Sequence, residues 1–189
     1  MISAILLAAG QSKRMNGENK LIKKIQGAPL IKHSIINILE SSIDELIIVT
    51  GYQNKILEKI VDKNEKIKIV FNEQFESGMA SSIRMGIKNL SDKTKAFFIC
   101  LGDMPMVNKH IYNELIRHID SGEIIIPTFK KQQGNPILFS ISMKEKIMRI
   151  NGDFGAKEFL KFNNDKLLNV EINDHNFAKD FNTIKNFNL

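Results

Sequence analysis

Four short runs dominated by apolar residues constrain the fold of this chain more than any other feature. They are residues 2–7, Glu45–Thr50, Ile67–Phe71 and Ala96–Leu101. A short apolar run bounded by turn residues suits a strand covered on both faces. Between the runs the apolar residues recur at helical spacing. Pro29 is placed to start a helix with Leu30, Ile31, Ser34, Ile35, Ile38 and Leu39 on one face; Ile56, Leu57, Ile60 and Val61 mark a second, and Ile83, Ile87 and Leu90 a third. A helix over 109–119 and a strand over 123–127 follow. Beyond Lys130 the pattern is less regular, with a strand over 136–139 and helices over 142–149 and 154–162. Such alternation predicts a single α/β domain over residues 1–189: a three-layer α/β/α arrangement around a mostly parallel, Rossmann-like sheet.

In sheets of this kind ligands sit outside the carboxyl ends of the strands. That rule brings three polar stretches to one edge: residues 8–20, Thr50-Gly51 and Gly102-Asp103-Met104-Pro105. The first follows the apolar run through Leu7 with Ala8-Ala9-Gly10, then carries Lys13, Arg14 and Lys20. A small-residue loop at a strand end offers backbone N–H groups, and the basic side chains suit a polyphosphate. It has neither the GxxxxGK[ST] spacing of a P-loop nor GxGxxG. Asp103 follows the most apolar run, so its carboxylate either caps the Pro105 turn or faces the crevice as a ligand for magnesium. Gly78-Met79-Ala80-Ser81-Ser82 opens the third helix, where Ser81 and Ser82 either cap it or read a base or ribose.

Composition narrows the field further. Lys and Arg exceed Asp and Glu by 27 to 21, for a net charge of +6, but the lysines are scattered and no basic arm or RNA-binding aromatic motif accompanies them. A solvated lysine-rich surface is the plain reading, with no nucleic-acid partner. The one cysteine, Cys100, lies in an apolar run and excludes a disulfide framework or a Cys-based zinc site. His33, His110, His118 and His175 lack metal-ligand spacing. With no basic n-region and no membrane-length apolar window, the expectation is a cytoplasmic protein without a membrane partner.

Leu7-Ala8-Ala9-Gly10-x-Ser12-x-Arg14-Met15, followed by Lys20, resembles the signature loop of nucleotidyltransferases with a glycosyltransferase-A-like fold. Within the MobA-like NTP transferase superfamily the chain is most similar to the molybdenum cofactor cytidylyltransferases. The matching elements are Gly78-Met79-Ala80-Ser81-Ser82-Ile83-Arg84-Met85-Gly86, Gly102-Asp103-Met104-Pro105, Gly134-Asn135-Pro136 and Gly152-Asp153-x-Gly155-Ala156. They occur in the family's order and span most of the chain.

The resemblance implies transfer of CMP from CTP to a phosphorylated acceptor, above all molybdopterin, with release of pyrophosphate and with Mg²⁺ as cofactor. Nucleotide binding would fall to Leu7, Ala8, Ala9, Gly10, Arg14, Lys20, Gly78 and Ser82. Arg14, Lys20 and Asp103 would carry catalysis, and Asn135 and Asp153 the acceptor. Ala9 stands where guanylyltransferase relatives have a second glycine, which favours CTP. The family's second acidic metal motif corresponds to Asp180-Phe181-Asn182-Thr183, where Asp180 is kept and Asn182 replaces an acid. Asp180 and Asn182 are therefore the expected partners of Asp103 at the metal, with an amide oxygen in place of a carboxylate. A molybdoenzyme that receives the cofactor is a further expected partner. Two alternatives stand beside this reading: a nucleotidyltransferase acting on a sugar, polyol or other small phosphate, and a nucleotide-binding maturation protein that has lost turnover.

Overall fold

Each of the four apolar runs forms a strand, and three of the four have the expected bounds. The computed structural model describes residues 1–12, 19–152, 156–161 and 163–174. In chain order the elements are β1 (Ile2–Ala8), a small hairpin of β2 (Lys24–Ile25) and β3 (Ala28–Pro29), α1 (Leu30–Leu39), β4 (Glu45–Thr50), α2 (Asn54–Ile60), β5 (Ile67–Phe71), α3 (Met79–Lys88), β6 (Ala96–Leu101) and α4 (Lys109–Arg117). Then come β7 (Ile124–Phe129), β8 (Gln132–Gln133), β9 (Ile137–Ser140), α5 (Lys144–Ile147), α6 (Ala156–Lys161) and β10 (Leu167–Glu171).

The main sheet has the order β10-β7-β9-β6-β1-β4-β5, with β8 added beside β7. β1 runs parallel to β4 and β6, β4 to β5, and β7 to β10. β9 is antiparallel to both β6 and β7. The period of two along each strand divides the apolar residues between two cores. Ala4, Leu6, Ala96, Phe98 and Cys100 face the layer of α1, α2 and α4. Ile5, Phe97 and Ile99 face the layer of α3, α5 and α6. Helices on both faces explain why the strands read as unbroken apolar runs rather than as alternating ones.

Close packing is specific at the centre. Phe98 meets Tyr112 edge-on, ring centroids 5.4 Å apart, and Phe97 stacks on Phe139 at 5.7 Å. Burying such a side chain contributes roughly 1.5–3 kcal/mol. A Cβ added at Gly86 on α3 would fall 2.3 Å from Ile5 Cγ2, so the glycine sets how near α3 lies to β1. Cys100 is a core residue, as expected: burial pushes its thiol up to about 12, against a smaller opposing effect from its hydrogen bond with Tyr112.

The structure differs from the sequence reading in the second half. β7 does not stop at Pro127 but continues to Phe129, because β9 pairs with it only as far as Ile125. The Pro127 carbonyl accepts from the Gly134 N–H, 2.9 Å away, and β8 takes up the pairing from Thr128. β10 went unread because Leu167-Leu168-Asn169-Val170-Glu171 mixes polar and apolar residues, as an edge strand does. The helix expected over 109–119 ends at Arg117, and His118 caps it. No helix among the described residues is long and apolar enough to cross a membrane.

Candidate active site

The carboxyl ends of β1 and β6 and the segment that leads from β5 into α3 meet at a cleft of about 760 Å³, within the size range of small-molecule sites. Leu7, Ala9, Gly10, Gln11 and Ser12 line it from the loop after β1, Lys20 and Leu21 from the turn beyond, and Leu101 and Asp103 from the end of β6. Phe75, Glu76, Gly78, Met79 and Ser82 close the opposite side. The edge rule therefore places the first loop, Asp103 and the serine helix together, as the sequence implies. Ala8 alone of the Leu7–Gly10 stretch turns away: its side chain is in the core under α1.

Lys20 is positioned by its neighbours on a single 3-10 turn over Lys20–Ile22. Leu21 anchors that turn in the core, and the fully buried Asn19 side chain accepts from the Leu21 N–H at 3.0 Å. The Lys20 N–H donates to Ser12 Oγ at 3.1 Å, which ties the two ends of the intervening loop together. The Lys20 ammonium then forms an ion pair with Asp103. Arg14, in that loop, lies outside the described residues.

Asp103 is held from three directions. The Gly102 N–H donates to the Leu7 carbonyl at 3.1 Å, continuing the register of β6 with β1. From α1, Ser34 donates to the Gly102 carbonyl at 3.2 Å and Asn37 to the Pro105 carbonyl at 2.9 Å. These bonds fix the turn, so the Asp103 carboxylate is only 13% exposed and lies against a cation on the cleft wall. A hard divalent ion that takes one carboxylate and completes its shell with phosphate and water fits such a donor. Among the described residues no group of three or more His, Cys, Asp or Glu side chains is arranged to hold a metal. Asp180 and Asn182 lie outside the described residues.

The far wall begins at Gly78, whose φ of 110° is a conformation that favours glycine. It leads into α3, where the Ala80 N–H donates to the Gly152 carbonyl at 3.1 Å. Ser81 back-bonds to the Gly78 carbonyl at 2.8 Å and the Gln74 carbonyl at 2.9 Å, so it serves the helix start. Ser82 lines the cleft instead. Sequence reasoning missed Asn72, at the end of β5, which donates to both hydroxyls and is 2% exposed. Its only sequence signal is a polar residue directly after a strand. Gln11 and Glu76, also unread, bridge the two lips at 2.8 Å.

Gly51 shows how tightly the lips fit. A Cβ there would stand 2.6 Å from Phe75 Cβ and 2.8 Å from Ala9 Cβ. Asn135 precedes the antiparallel β9, so it reaches the same sheet edge as Asp103, but it does not line the cleft. Beyond it, toward β10, a second cavity of about 430 Å³ is lined by Thr128, Lys131, Gln133, Asn169 and Glu171. Asp153 lies outside the described residues.

The chain is similar to the "Bifunctional protein GlmU" of Staphylococcus epidermidis, 24% identical over 134 residues; the match covers 70% of the chain but only 29% of GlmU. It is also similar to a Methanosarcina acetivorans protein named "Probable molybdenum cofactor guanylyltransferase", 26% identical over 158 residues, covering 80% of the chain and 68% of that protein. Among solved structures, Rv0371c from Mycobacterium tuberculosis H37Rv superposes with a TM-score of 0.87 at 20% identity, over 98% of this chain and 95% of that one. A structure of Rv0371c in complex with manganese superposes at 0.76 with 17% identity, over 90% of this chain and 87% of that one. The fold is thus shared at low identity. A family model matches from Ala4 in β1 through Asn169 in β10, residues 4–169, and the chain belongs to that family, the MobA-like NTP transferase domain.

Proposed function

We propose that this protein is a nucleotidyltransferase that moves CMP from CTP to a phosphorylated acceptor, molybdopterin first among the candidates, and releases pyrophosphate. The observation that carries the reading is the pairing of Lys20 with Asp103 on the wall of a nucleotide-sized cleft. A basic group for phosphates and a carboxylate for a cation stand side by side there, opposite a helix start that presents a hydroxyl. The family match supports nucleoside triphosphate chemistry. The name of the Methanosarcina relative supports a molybdenum cofactor precursor as acceptor, although that name specifies a guanylyl group. Ala9, where the guanylyltransferase pattern has glycine, favours CTP.

The chemistry asks little covalent work of the protein. An oxygen of the acceptor's terminal phosphate attacks the α-phosphorus in line; a new P–O bond forms as the bond from the α-phosphorus to the β-bridging oxygen breaks. With a second phosphate pKa of about 6, the nucleophile is already ionised near neutral pH, and no general base is required. The side chains supply position and charge neutralisation. Lys20 holds phosphate oxygens, with Arg14 as its expected companion, and Gly10 lets the triphosphate approach the loop: among the described residues, its chain neighbours apart, no heavy atom lies within 4 Å of a Cβ built there. Ser82 reads the base. Magnesium, held by Asp103 with Asp180 and Asn182 as further candidates, would neutralise charge on the phosphates and leaving group.

A pyrophosphate-release screen of the four common nucleoside triphosphates against molybdopterin and a set of sugar and polyol phosphates tests the proposal. Release is expected with CTP, an acceptor and Mg²⁺ together. Binding of CTP without release from any acceptor would instead favour a maturation protein that has kept only the pocket.

A further inference from the structure

The polar cluster at the base of α3 has a direction, and that direction bears on which base the cleft accepts. Asn72 Oδ1 accepts from the Gln74 N–H at 3.0 Å. A backbone N–H can only donate, so the amide oxygen must lie on that side and the NH₂ group on the other. The two amide protons are then spent on Ser81 Oγ at 2.8 Å and Ser82 Oγ at 3.0 Å. Ser81 passes its own proton to the Gln74 and Gly78 carbonyls. Ser82 is treated differently: it receives from Asn72, and no acceptor among the described residues takes its proton. Ser82 lines the cleft while only 4% exposed, so its proton is left for a group that enters there.

We infer that Asn72 is a positioning residue that makes Ser82 a hydrogen-bond donor toward the nucleobase, so that the cleft selects a base edge presenting an acceptor. The inference rests on the reading of the cleft as a nucleotide site with Ser82 at the base. Cytosine suits the requirement, since O2 and N3 are adjacent acceptors on its pairing edge. Uracil and guanine carry a proton at N3 and N1 with carbonyl acceptors beside it, so the donor discriminates against them where it meets the ring nitrogen. A buried network with every other member satisfied resists reversal, because turning Ser82 around would leave an Asn72 proton unpaired in a buried site. Asn72 itself is held by the sheet: its N–H donates to the Thr50 carbonyl at 2.9 Å.

The test is equilibrium binding of CTP and of inorganic triphosphate to the full chain by calorimetry in Mg²⁺, with Ser82→Ala, Asn72→Ala, the double variant and Asn72→Asp. Ser82→Ala is expected to weaken CTP about five- to tenfold, the scale of one hydrogen bond, and to leave triphosphate unchanged. Asn72→Ala should match it, and the double variant should bind CTP no more weakly than Ser82→Ala. Asn72→Asp keeps the bond from Gln74 but offers an oxygen where the NH₂ stood, so Ser82 turns its proton inward. The ratio of CTP to triphosphate affinity should then fall at least as far as in Ser82→Ala, and this variant decides the matter if Asn72→Ala does not fold. Additive losses in the double variant, or equal losses of CTP and triphosphate in Asn72→Ala, would overturn the inference while leaving the nucleotide site standing. Wild-type CTP binding by Ser82→Ala would remove the base contact, and the inference with it.

Discussion

The two halves of the sheet solve the same problem in different ways. From β5 to β6 every strand runs parallel, so each strand's functional loop follows it, and the loops after β1, β5 and β6 converge on one cleft. From β9 outward the sheet is mixed. Because β9 runs against β6, the residue that reaches the same edge is the one before the strand, Asn135. The parallel half is closed by buried bonds such as those of Asn19, Ser34 and Asn72. The mixed half ends in the second cavity, whose Glu171 accepts from Thr128 Oγ1 and the Lys130 N–H. On the proposed function, the parallel half would hold the nucleotide and the mixed half would receive the acceptor.

Substitutions that separate the halves can break this comparison. Asp103→Ala should lower turnover the most, by about 10²–10³-fold, the scale of losing one electrostatic stabiliser, as read by pyrophosphate release. Lys20→Met should cost about ten- to hundredfold in CTP affinity, since it removes a charge-assisted contact. If either variant turned over normally, the donor assignment to the parallel half would fail. Asn135→Ala should raise the acceptor KM about fivefold and leave CTP affinity alone. Loss of CTP affinity in that variant would merge the two halves into one site. Ala9→Gly should have the smallest effect, narrowing the CTP-over-GTP preference by a few fold, and an unchanged preference in a competition assay would remove Ala9 from the specificity argument.

The same contrast explains what could be read from the sequence. Strands covered on both faces leave continuous apolar runs, so β1, β4 and β6 and the loops behind them were legible from residue order, and the partly exposed edge strand β5 from its apolar residues. Asp103 stood out because it follows the most apolar run, and Lys20 because it lies in the small-residue loop after β1 together with Lys13 and Arg14. β9 reversed direction without any mark in its own residues, since Ile137-Leu138-Phe139 would suit either orientation. Pro127 looked like a terminator because pairing gaps on a neighbouring strand are invisible in sequence. Asn72 escaped notice for a related reason: its role lies in two serines nine and ten residues away, brought together only by the β5-to-α3 turn.

The central claim is attack at the α-phosphorus of a bound nucleotide by a phosphorylated acceptor. Parallel incubations with CTP radiolabelled at the α- or the γ-phosphate, in Mg²⁺ with molybdopterin, test it most directly. The account predicts that the α label appears in the acceptor product and the γ label in pyrophosphate, both slowed about 10²–10³-fold by Asp103→Ala. Transfer of the γ label to the acceptor, or no transfer of either label to any phosphorylated acceptor while CTP remains bound, would contradict it.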